Sequence, residues 1–124
     1  MSTDRLFLST ALGFALLGLL LGEYMGLSGN NAQKVTHAHI LLVGFVISFV
    51  HAVIHRLWLQ DVPAAGGRRH HALHVAGALG MAVGLWAMFG HVVPEAVAGP
   101  VLGLCGALVI VAMAMPFAKL WRGR

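Results

Sequence analysis

The sequence predicts an all-α fold, a bundle of four transmembrane helices, and three observations predict it. The 124-residue chain is 59% hydrophobic and only 10% charged, whereas a soluble domain carries about 25% charged residues. Its mean hydropathy is +0.85. Its apolar residues gather into four runs, each near the roughly 20 residues that cross a bilayer. A soluble domain of this length would need a polar surface, and the residues for one are missing. The length allows one domain, residues 1–124.

The first run extends from Leu6 to about Gly26, with Glu23 near its end. A polar turn, "LSGNNAQKVT", leads to the second, from His37 to about Trp58. The segment "LQDVPAAGGRR" reads as a loop, with Pro63, Gly66 and Gly67 as breakers. The third run extends from His71 to about Gly90, and "HVVPE" turns the chain into the fourth, from Ala96 to about Ala118. A basic tail, "KLWRGR", comes last. Helices are expected because every backbone polar group must be satisfied within lipid, and the runs lack strand alternation. No Ala-x-Ala site stands after the first run, so it reads as a span rather than a cleaved leader.

The isoelectric point near 10.3 does not imply nucleic acid. The basic residues are few and flank apolar runs. With alternating spans, Arg5, Arg56, Arg68, Arg69, Lys119, Arg122 and Arg124 fall on one side and Lys34 on the other. The positive-inside rule then places both termini in the cytoplasm of a bacterial-type inner membrane. Trp58, Trp86 and Trp121 read as interfacial anchors in contact with lipid. Cys105, the single cysteine, reads as a small packing residue.

Glycines recur at four-residue spacing: Gly18, Gly22 and Gly26 in the first helix, Gly80 and Gly84 in the third, Gly99 and Gly103 in the fourth. Such faces let membrane helices approach closely, within one bundle or between copies in an oligomer.

The eight histidines fall into two zones. At about 100° per residue, His37 and His39 point to nearly opposite faces and cannot grip one metal. They head the second helix in an outer zone with His91, Glu23 and Met25. On an ideal helix His51 lies about 40° from His37, and His55 roughly 27 Å deeper than His37. An inner zone then holds His51 and His55 with His70, His71 and His74. The pairs His51/His55 and His70/His74 are spaced i, i+4 and share helix faces. Four imidazoles on two helices suit copper or zinc, or a second haem. The bland alternative is a headgroup-facing cluster beside Arg68 and Arg69. In the outer zone the choice lies between interfacial imidazoles bonded to water and axial haem ligands in an apolar slot near Leu41, Phe45 and Phe49. No Cys-x-x-Cys-His occurs, so such haem is non-covalent. Glu23 reads as a partner for Lys34 or a turn amide, or as a group tuning a bound histidine. Met25 reads as packing or as an axial ligand.

The stretch "VTHAHILLVGFVISFVHAVIHRLW" resembles the histidine-bearing helix of the large subunit of the haem–copper oxidase superfamily, and "THAHILLVG" is closest to the nitric oxide reductase form. The four-helix layout resembles one repeated unit of that subunit. The resemblance implies haem b, with His37 matching the ligand of an active-site haem and His39 that of an electron-transfer haem. It implies a homo-oligomer, a trimer, with haem at subunit boundaries, and a redox partner. The paired histidines His70 and His71 open a helix at the other end from the family's copper ligands, so a binuclear oxygen-reducing centre is not implied. The readings to compare are a haem protein for electron transfer or for binding NO or O2, a copper- or zinc-binding membrane protein, and a cofactor-free accessory subunit of a respiratory complex.

Overall fold

A computed structural model of the chain describes residues 1–123; Arg124 lies outside the described residues. Four helices, each long and apolar enough to cross a membrane, make up the chain: α1 (Thr3–Ser28), α2 (Lys34–Leu57), α3 (Ala64–Phe89) and α4 (Glu95–Arg122). Helix α1 lies against α2 and α3 against α4, and α1 and α2 both reach α3. Helix α4 is attached mainly through α3.

Gly29 sets the end of α1. Its φ of 69° is left-handed, and its N–H closes on the Met25 carbonyl at 3.0 Å. A residue with a Cβ adopts that conformation only at a cost.

Helix α3 begins at Ala64, about two turns before the expected His71. Pro63 ends the loop in extended geometry, and Gly66 and Gly67 lie inside the helix. Gly67 is buried, and a Cβ there would collide with Thr3 of α1. At Gly67 the missing side chain therefore lets two helices touch and does not break one.

Helix α2 departs from ideal geometry. Its middle, Ile40–Ile47, is a π-helix between the α-helical segments Lys34–His39 and Ser48–Leu57. A π segment widens the turn, and each residue it inserts rotates the remainder of the helix by roughly 100°. The ideal-helix angle between His37 and His51 therefore does not hold across it. At its centre the backbone of Gly44 takes the ring of Phe14. Phe14, Ile40, Ala78 and Ala82 form the buried apolar core.

The glycine faces of α1 and α3 are used within the chain at Gly18, Gly22, Gly80 and Gly84, while Gly26 meets nothing within 4 Å. Ile40 and Leu41 of α2 cover Gly18. Cβ atoms at Gly77 and Gly80 would lie 2.8 Å from the Cys105 carbonyl and 2.6 Å from its sulfur. Cys105 is a buried packing residue of α4. Gly99 and Gly103 have open space before them. Leu12, Leu16, Leu19, Leu20, Leu104 and Ile110 are exposed, as on a lipid-facing surface.

Both ends of the bundle are tied. At the end carrying the termini and the α2–α3 loop, Arg56 meets Asp4 at 3.6 Å and Lys119 meets Asp61 at 3.3 Å. At the other end, the side-chain amide of Gln33 donates to the Trp86 carbonyl at 3.1 Å.

Candidate functional sites at two histidine zones

Near the terminal end, α1, α2 and α3 enclose a dense imidazole cluster. The i, i+4 spacings bring His51 and His55 of α2 to face His70 and His74 of α3, as expected. His51 and His74 are fully buried, and His55 and His70 nearly so. The centroids of His51 and His70 are 4.6 Å apart, those of His51 and His74 5.0 Å, and those of His55 and His70 5.1 Å. The cluster centres on Phe7 of α1, itself fully buried. Its ring centroid lies between 4.9 and 5.9 Å from those of His51, His55, His70, His71 and His74.

The hydrogen bonds sort these rings. His70 Nε2 donates to the Ala112 carbonyl of α4 at 2.8 Å. Residue 116, which would normally donate to that carbonyl within α4, is proline and has no N–H. Pro116 thus frees an acceptor for His70. With its Nε2 protonated, His70 presents a lone pair at Nδ1, which accepts from His55 Nε2 at 2.8 Å. His74 Nε2 pairs with the Ser48 hydroxyl at 2.9 Å. The Thr10 hydroxyl donates to the Leu6 carbonyl at 3.0 Å and accepts from His71 Nε2 at 2.7 Å. Among the described residues, three buried side-chain nitrogens are left over: both ring nitrogens of His51, and Nδ1 of His74. A buried polar atom without a partner is costly, and natural folds rarely leave one without a role. Among the described residues, no three His, Cys, Asp or Glu already converge as a finished metal site.

The outer zone is differently made. His37 Nδ1 lies 2.9 Å from the Gly18 carbonyl of α1. Its ring rests on Gly22, where a Cβ would come within 2.7 Å of Cε1. His39 Nδ1 lies 2.9 Å from the Val35 carbonyl, one turn back in its own helix. Both rings are half-buried. A carbonyl only accepts, so each Nδ1 is the donor and each Nε2 keeps its lone pair. Neither Nε2 has a hydrogen-bond partner among the described residues.

The remaining expected members of this zone do not join them. Met25 is buried in α1, and Glu23 is exposed, with no hydrogen-bond or ionic link to either ring among the described residues. His91 is exposed in the α3–α4 turn, with a left-handed φ of 57°. Leu41 packs on Gly18, while Phe45 and Phe49 lie 6.4 Å apart along α2. An apolar groove of about 440 Å³ runs between α1, α2 and α3 past Leu17, Thr36, Ile40 and Trp86, but neither His37 nor His39 lines it.

Phe7, Ser48, Thr10, Ala112 and Pro116 belong to no motif in the sequence. One signal does point to two of them: a proline inside an apolar span frees a carbonyl one turn earlier, and a histidine on a neighbouring span is a natural donor to it. No protein-family model, curated protein or solved structure matches this chain.

Proposed function

We propose that this chain is a membrane b-type haem protein in which His37 and His39 would hold the haem iron, serving electron transfer or the binding of a diatomic gas. The observation that carries the reading is the hydrogen bonding of the two rings. Each donates from Nδ1 to a backbone carbonyl, of Gly18 or Val35, and so offers the Nε2 lone pair. A metal-binding histidine is ordinarily oriented in this way, and the bond raises the basicity of the ligating nitrogen.

Gly22 and Gly18 hold the His37 ring across α1, and the i−4 bond holds His39 against its own helix. The α-helical segment Lys34–His39 separates the two rings by about 200° around the axis, so they serve different irons. The intrachain groove touches neither ring, which favours haem placed between copies in a homo-oligomer, a trimer by the resemblance to the haem–copper oxidase large subunit. Haem supplies a redox-active iron whose coordination sets its use: two imidazoles favour electron exchange with a redox partner, one leaves a position for gas. The basic residues at the terminal end favour a cytoplasmic location for that end, in a bacterial-type inner membrane.

The test is an absorption spectrum of the detergent-purified protein, oxidised and dithionite-reduced, with pyridine extraction for stoichiometry. A sharp reduced α-band at about one haem per chain is expected, with His37→Ala and His39→Ala each losing most of it while the protein still inserts. Full haem content in both variants, or a colourless protein after haem addition, ends the reading.

A further inference from the structure

The inner cluster is not used by the haem reading, and it holds the most unusual chemistry in the molecule. Three of its nitrogens are buried without partners. Two of its rings are anchored from behind, His70 on the Ala112 carbonyl and His74 on the Ser48 hydroxyl. In both, the anchored atom is Nε2 and the atom left to work is Nδ1. That is the backing that orients a metal-binding imidazole. His51 lies between them, with ring centroids 4.6 and 5.0 Å away. Two imidazoles on one tetrahedral ion, at metal–nitrogen bonds of about 2.0–2.1 Å, hold their centroids roughly 5 Å apart.

We propose that His51, His70 and His74, joined by His55, form a buried copper(I) site. Among the described residues no three of these groups converge as they stand, so binding an ion requires rings to turn. His55 and His70 spend their facing nitrogens on each other, at 2.8 Å. The ion takes the place of the shared proton. His55 then shifts its N–H to Nδ1 and offers Nε2, and His70 Nδ1 turns from His55 to the metal. No electron moves in this exchange, and no proton leaves the site.

Three features select the ion. Every donor is a neutral imidazole, and among the described residues no carboxylate hydrogen-bonds to the four rings; Asp4, itself paired with Arg56, reaches only His55 and only through space, so most of the ion's charge stays in an apolar environment. The desolvation cost rises steeply with charge and favours a monovalent ion. Imidazole suits copper and zinc, and thioether sulfur favours copper(I). A cavity of about 190 Å³ opens onto His55 and His70 from the terminal end, with Met115, Pro116 and Lys119 in its wall. Met115 is thus placed as a soft handhold on the way in.

The test uses full-length, tag-free protein in detergent, titrated anaerobically with copper(I) against a chromophoric copper(I) chelator, and separately with zinc(II). One copper per chain is expected, with binding at least tenfold weaker in His51→Leu and His74→Leu. His37→Ala with His39→Ala should bind copper as the native chain does, separating this site from the haem reading. X-ray absorption should show nitrogen ligands with imidazole scattering. Circular dichroism checks that the variants keep their helices. If His51→Leu fails to fold, Ser48→Ala, which removes only the anchor of His74, serves in its place. Absence of saturable copper binding, native affinity in the folded cluster variants, or binding of zinc without copper overturns the proposal.

Discussion

His70 donates its Nε2–H to the carbonyl of Ala112 at 2.8 Å, an oxygen left without a helical donor because residue 116 is proline. The two vacancies satisfy each other across α3 and α4. The result is a fixed tautomer at the heart of the histidine cluster, set by a residue that does not touch the ring's working face.

Pro116→Ala restores an N–H that competes for the Ala112 carbonyl. The variant should keep its helices and lose the defined His70 tautomer. Histidine ¹⁵N NMR would show this as loss of a single protonated Nε2 signal, and copper(I) affinity should fall severalfold. An unchanged His70 signal would mean the carbonyl serves both donors.

Gly22→Ala attacks the outer zone without touching a ligand. The added methyl would stand 2.7 Å from His37 Cε1, and relieving such overpacking costs about 1–3 kcal/mol. Haem content or affinity should drop at least severalfold. Gly26→Ala, with open space before it, should leave haem unchanged and controls for helix propensity. Equal haem in both variants would separate the His37 ring position from haem binding.

Gly77→Ala tests how α4 is held. Its Cβ would approach a backbone carbonyl, that of Cys105, at 2.8 Å, and backbone cannot swing aside as a side chain does. A loss of about 1–3 kcal/mol is expected, read as a lower melting temperature in detergent. Gly103→Ala faces open space and should melt as the native chain does.

His51→Phe removes both unpartnered nitrogens of that ring. Each buried unpaired group costs about 1–3 kcal/mol, so the metal-free variant should melt no lower than the metal-free native chain. Copper(I) should raise the native melting temperature and leave the variant's unchanged, because only a ligand bound to the folded state stabilises it. A large destabilisation of the metal-free variant would show that His51 is already satisfied.

Asp4→Asn should change stability by less than about 1 kcal/mol. Arg56, its partner at 3.6 Å, is largely solvent-exposed, and such pairs are weak. Chemical or thermal melting of the variant checks this.

Much of the architecture is legible in the sequence because hydropathy and helical periodicity are local properties. The four spans can be read from run length alone. The meeting of His51 and His55 with His70 and His74 can be read from i, i+4 spacing on two consecutive spans. The start of α3 differs from its expected place because glycine signals a break in water but close approach between helices. Only the proximity of Thr3 tells which applies at Gly67. The ideal angle between His37 and His51 assumes one uninterrupted α-helix, and the π segment between them breaks that assumption. The apolar residues of Ile40–Ile47 do not themselves announce a π segment.

What the sequence by itself determined is an all-helical chain with four membrane-length spans, one end rich in basic residues, and histidines gathered in two zones. Those come from composition and short-range spacing, which act before any two helices meet. What only the tertiary structure decided is the state of each imidazole: which nitrogen donates, to which oxygen, and which is left without a partner. Those depend on contacts between residues far apart in the chain, such as His70 with Ala112 or His37 with Gly18. A hydrogen bond is fixed within fractions of an ångström, and no local pattern carries that information.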